Sequence, residues 1–187
     1  RLLIMDINAL ERKKYPIGKF ESPNAIQDDL FSSWVRSMET LPSRLEEVVS
    51  SISMDQLDSQ YRPGSWTVRQ VIHHLPDSHL NGYTRMKLAL TEDNPTIKPY
   101  DENGWSLLTD VQTVDVQVSL DLLKNIHTRW IALIKGLNSA EMKRTFYHPA
   151  NKVKVSVAEQ VGLYAWHGEH HLSHIKAALE QDRSLTE

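Results

Sequence analysis

A chain of 187 residues, 40% hydrophobic and 24% charged, has the length and composition of one soluble globular domain able to bury a core. A net charge of −3 and a pI near 6.3 give it no electrostatic pull towards nucleic acid or an anionic membrane surface. Cysteine is absent, which excludes disulfides and thiolate metal sites and favours a reducing, cytoplasmic setting.

At the start of the chain, Leu2, Leu3, Ile4 and Met5 form an apolar patch that breaks at Asp6 without a small-residue cleavage site, so no secretory signal is expected. No run approaches the roughly 20 apolar residues of a membrane span. Residues 1–22 read as an N-terminal extension and residues 23–187 as a single domain, with Pro16, Gly18 and Pro23 marking the loop between them. Ile26, Leu30, Trp34, Leu41, Leu45 and Val48 recur at helical spacing and predict a first helix from about Asn24 to Ser53. Pro42 inside it predicts a kink or a split, because proline removes one backbone hydrogen bond.

A short turn near Asp55–Leu57 leads into the breakers Tyr61-Arg62-Pro63-Gly64. Thr67 and Gln70 then form a T-x-x-Q capping box, opening a second helix that runs to about Leu90. Asn94–Gly104 reads as a long loop. Val118, Leu122, Ile126, Trp130 and Leu133 place a third helix over Val116–Lys135, stopped by Gly136. Thr145–His148 and Val153–Val157 predict a small β-hairpin. Ser156 and Glu159 cap a last helix that reaches about Gln181. Four long amphipathic helices imply an all-α four-helix bundle, and the long connections leave its order open.

Seven of the nine histidines fall in His73–His79 and His167–His174. Residues four apart stack on one helix face, so His167/His171 and His170/His174 are each spaced to share a cation. On a wheel of about 100° per residue, His171 lies roughly 40° and His167 roughly 80° from the apolar direction of the last helix. His174 and His170 lie roughly 100° and 140° away, so the first pair is favoured as inward. On the second helix His73 points opposite the apolar face and is expected in solvent, whereas His74 and His79 both remain possible ligands. His127 and His148 read as ordinary polar positions, His148 with the further option of lining a pocket. Trp34 and Trp130 read as core, while Trp66, Trp166 and Trp105 are divided between packing and pocket walls.

The stretch from Tyr61 to His79, with Lys98-Pro99-Tyr100-Asp101-Glu102, Phe146-Tyr147-His148-Pro149 and Gly162-Leu163-Tyr164-Ala165-Trp166-His167, resembles the YfiT-like branch of the DinB superfamily. The resemblance runs from about Tyr15 to about Leu179. It implies a four-helix bundle with long crossovers, and a homodimer in some members. Its metal ligands are a histidine before Leu-x-Asp on the second helix and an H-x-x-x-H pair on the last, which match His74, His167 and His171. Pro76 departs from the small residue usual in that branch, and an interior proline is expected to bend the helix there.

The function implied is a metal-dependent hydrolase, in which three histidines hold one divalent ion and leave it open to an activated water. Zinc is the default ion, with nickel as an alternative. Asp77 or Glu169 is expected to orient a ligand or act as general base. The competing readings are a transferase for a low-molecular-weight thiol, of bacillithiol type, and a non-enzymatic module that binds a metal or small molecule. A small-molecule substrate, without nucleic acid or membrane, is the expected partner.

Overall fold

Four helices with long apolar stripes form the frame. The computed structural model describes the backbone of residues 7–186 and the side chains of residues 8–181, so the apolar patch at Leu2–Met5 lies outside the described residues. Helix α1 (Ile7–Lys14) falls within the segment read as an extension. Helix α2 (Asp28–Val49) buries Met38, Leu41, Pro42, Leu45 and Val49, a stripe at helical spacing, and runs unbroken through Pro42.

A 3₁₀ turn at Asp55–Asp58 precedes helix α3 (Val68–Thr91). Its start follows the sequence rule closely: the Gln70 amide donates to Thr67 Oγ1 at 3.2 Å, and Gln70 Oε1 accepts from the Thr67 amide at 2.9 Å. The end of the expected loop at Asn94–Gly104 enters a short helix, α4 (Glu102–Trp105), and a second, α5 (Thr109–Thr113), follows beyond it. Helix α6 (Val116–Lys135) has the bounds predicted for it. After the single turn α7 (Ser139–Met142), strands β1 (Thr145–His148) and β2 (Val153–Ser156) pair antiparallel, Thr145 opposite Ser156 and His148 opposite Val153. Helix α8 (Val157–Thr186) begins with Ser156 and Glu159 bonded as a capping box. Among the described residues, no helix is long and apolar enough to cross a membrane.

In the bundle, α2 and α3 each pack against both α6 and α8. Consecutive helices α2 and α3 therefore stand at opposite corners, as do α6 and α8, and two of the three connections cross the bundle. This arrangement makes α3 and α8, which carry most of the histidines, direct neighbours.

The apolar core is divided into two layers. One gathers Leu41, Leu45, Leu75, Leu123 and Ile175; the other gathers Met38, Met86, Trp130, Val161 and Tyr164. Between these layers lie His79 on α3 and His167 and His171 on α8, with His74 at the edge of the first layer beside Leu75 and His127 at the edge of the second beside Ile126, so a polar band is held between two apolar ones. Gly168 lets the backbones close here, since a Cβ on it would meet Leu41 Cδ2 at 2.4 Å.

Candidate metal centre

His74 on α3 faces His167 and His171, one turn apart on α8. One ring nitrogen from each lies within 4.8 Å of the other two. His74 Nε2 and His167 Nε2 are 3.2 Å apart, close to the roughly 3.3 Å expected between two nitrogens each about 2.0–2.1 Å from a tetrahedral ion. Burial, reinforced by His170, pushes the His74 imidazole down to about 4. Burial first, and then neighbouring histidines, hold His167 and His171 well below the ordinary histidine range. All three rings are therefore neutral near pH 7 and offer lone pairs, the form in which imidazole ligates a metal.

His171 Nδ1 is buried and has no hydrogen-bond partner among the described residues. An unpaired buried acceptor is costly, and a cation is one partner it can take. The Trp66 ring lies 4.6 Å from the His74 ring and 6.2 Å from that of His171, closing one side. Towards solvent, His167 and His171 line a cavity of about 330 Å³ whose walls include Tyr15, Tyr61, Arg62 and Trp166. The donor set, its protonation and its access all fit a divalent ion with room for a small molecule beside it.

A second group, His170, His171 and His174, also brings nitrogens within 4.8 Å of one another. The wheel set His170 and His174 farther from the apolar direction than His167 and His171, yet both are buried, His174 to 2% exposure. The covering comes mostly from residues outside the helix: His174 Nε2 donates to the Lys14 carbonyl at 3.0 Å, Tyr61 stacks on His174 at 3.8 Å and the Tyr15 ring lies 5.8 Å from His170, which Trp166 of α8 itself stacks on at 4.6 Å. The wheel measured only the bundle face, whereas the N-terminal segment and the residue 61–66 loop bury the other.

His73 corrects the sequence expectation most clearly. It is 6% exposed, with Nδ1 2.7 Å from Ser119 Oγ on α6. Helix α3 is packed by α6, α8 and α5, so it has no single solvent face at this level. His127, read as an ordinary polar position, is also buried, and its ring bonds to His79 at 2.7 Å. His79 lies inside the bundle as expected and contacts His167 Nδ1 at 3.2 Å rather than joining the group around His74. His148 stays in the hairpin, accepting from the Asn151 amide at 3.4 Å.

Of the two carboxyls proposed to assist, Glu169 is committed elsewhere. Arg44 binds both its oxygens, and Ser37 Oγ donates to it at 2.6 Å. Burial works to raise this carboxyl, but the bonds to Arg44 and Ser37 keep it below the ordinary range. The sequence could not anticipate this, because Arg44 and Glu169 are far apart along the chain. Asp77, half-buried one turn beyond His74, is pushed up to about 6 by burial and then by Asp110. Among the described residues, His74 and His167 bond to other imidazoles and not to a carboxylate.

Fold and site together define an all-helical bundle with an internal histidine centre opening on an aromatic-walled cavity. The family model of the DinB superfamily matches residues 37–175, and the chain belongs to that superfamily. A protein of Oceanobacillus iheyensis, provisionally named a metal-dependent hydrolase, is 47% identical over 163 residues, covering 87% of this chain and 94% of its own. The solved structure of YfiT from Bacillus subtilis, described as a probable metal-dependent hydrolase with an unusual four-helix bundle topology, superposes with a TM-score of 0.87. Its identity is 43%, over 94% of this chain and 98% of YfiT. A mycothiol-dependent maleylpyruvate isomerase shares the fold at a TM-score of 0.61 and 14% identity, over 79% of this chain and 60% of that one.

Proposed function

We propose that the protein is a metal-dependent hydrolase in which His74, His167 and His171 hold one divalent cation, zinc in the first instance. The observation that carries the reading is the gathering of three neutral ring nitrogens from two helices within 4.8 Å, beside a cavity of about 330 Å³. The names borne by the Oceanobacillus relative and YfiT point the same way. A divalent ion bound there supplies a Lewis acid that polarises a substrate oxygen and acidifies water.

The chain's own residues supply the rest. Burial keeps the three imidazoles unprotonated, so metal binding does not have to displace protons from them near pH 7. Trp66 shields His74 and His171 from bulk water. Of the two carboxyls marked in the sequence, Asp77, pushed up to about 6, remains as a proton acceptor once Glu169 is tied to Arg44.

The test is a panel of ester, amide and phosphoester substrates against protein loaded with Zn(II). Hydrolysis that a chelator abolishes and added zinc restores is the expected result. Should the panel stay silent while a low-molecular-weight thiol is added to an electrophile in a metal-dependent way, the hydrolase reading gives way to transfer. Silence in both panels with metal retained leaves a binding module.

A further inference from the structure

A line of imidazoles runs from the candidate metal centre through the bundle to the backbone of α2. It begins at the Met38 carbonyl, which would ordinarily accept from the amide four residues on. That residue is Pro42, which has no N–H, so the carbonyl is left without its helical donor although it lies in the interior. His127 Nδ1 fills the vacancy at 2.7 Å. His127 Nε2 in turn lies 2.7 Å from His79 Nδ1, and His79 Nε2 lies 3.2 Å from His167 Nδ1.

The direction of every proton in this line follows from its end. A carbonyl oxygen only accepts, so His127 Nδ1 must carry the hydrogen. His127 is 2% exposed and His79 is fully buried between Trp130 and Tyr164, with no carboxylate bonded to either among the described residues. An uncompensated charge in such a place is strongly disfavoured, so each ring is neutral and carries one hydrogen. With its hydrogen on Nδ1, His127 accepts at Nε2, which requires His79 to donate from Nδ1. His79 then accepts at Nε2, which requires His167 to donate from Nδ1. What remains on His167 is a bare Nε2, and that is the atom 3.2 Å from His74 Nε2.

We propose that His79 and His127 are positioning residues: rooted on the carbonyl that Pro42 leaves free, they hold His167 in the Nδ1–H tautomer with its Nε2 lone pair turned to the candidate metal centre. A metal-ligating histidine usually receives this service from a carboxylate or a backbone carbonyl on its other nitrogen. Here the carbonyl is two rings away, and its preference is passed through two neutral imidazoles. The proposal rests on the ligand assignment made above, but the tautomer can be read without any metal.

The experiment has two arms. In metal-free protein labelled with ¹⁵N-histidine, two-bond ¹H–¹⁵N correlations report which nitrogen of each ring is protonated. The expected pattern is Nδ1–H for His127, His79 and His167. Finding His167 or His79 as the Nε2–H form overturns the proposal, whatever the metal does. The second arm measures Zn(II) affinity by chelator competition in His127→Leu and His127→Gln. Leucine removes both ends of the link, and a 10–100-fold loss of affinity is expected. Glutamine can donate to Met38 from its amide nitrogen and accept from His79 on its oxygen, so it should recover most of that loss. A folded His127→Leu variant with wild-type affinity, or a glutamine variant no better than leucine, contradicts the relay. Wild-type protein that binds no zinc but shows the expected tautomers would overturn the hydrolase reading and leave the relay standing as an internal lock.

Discussion

At the scale of single residues, Glu169 and Asp77 show how neighbours decide what a carboxyl can do. Glu169 sits beside two of the histidines in sequence, yet Arg44 and Ser37 hold it against α2. Glu169→Gln should therefore leave zinc content unchanged and lower stability by at most about 1 kcal/mol, because the pair is partly solvated. Equilibrium unfolding together with elemental analysis checks both halves, and loss of metal in this variant would return Glu169 to the centre. The same scale shows where the sequence is silent. Spacing marked His167 and His171, family resemblance alone chose His74 over His79, and the structure brings one ring nitrogen of each within 4.8 Å of the others. His73 and His127 were not marked, since their partners, Ser119, His79 and the Met38 carbonyl, lie on other helices. The only local hint was Pro42, which advertises a free carbonyl at Met38 but cannot say what caps it.

At the scale of elements, capping chemistry was the most reliable guide. The Thr67/Gln70 and Ser156/Glu159 boxes start α3 and α8 at the places their side chains predict, because each satisfies amides that a helix otherwise leaves bare. Pro42 was weighed as a possible break, and α2 instead continues through it. The removed bond is answered by His127 from α6, so tertiary structure covers a local defect. Helical wheels failed where a helix is covered on more than one side. Helix α3 buries every residue from Val71 to Pro76, and α8 is covered from outside by Lys14, Tyr15 and Tyr61. The short elements α4, α5 and α7 have four or five residues each, too few to show a periodicity.

At the scale of the whole molecule, the defining feature is a neutral histidine band between two apolar layers, and acid should undo it. Burial pushes His74 and His127 from the ordinary 6.5 down to about 4, and holds His79, His167 and His171 well below the ordinary range. Unfolding releases these rings to bind protons below 6.5, so the unfolded chain is the more protonated state between pH 6.5 and 4. Stability therefore rises with pH across this window, is fully present above it and drains away below, by up to about 1.4 kcal/mol per pH unit for each ring. Asp77, raised to about 6, acts in the opposite sense between 6 and 3.8, but it is one half-exposed group against several buried ones. Urea unfolding of metal-free protein from pH 7 to 4 should show a steep loss, and a flat profile would mean the rings are not held neutral. The central claim, that His74, His167 and His171 share one cation, is tested most directly by metal stoichiometry. Zinc-reconstituted and exhaustively dialysed protein should hold one ion per chain, His171→Ala close to none, and His170→Ala about as much as wild type. Equal zinc content in the two variants, or a wild type that holds none, would contradict it.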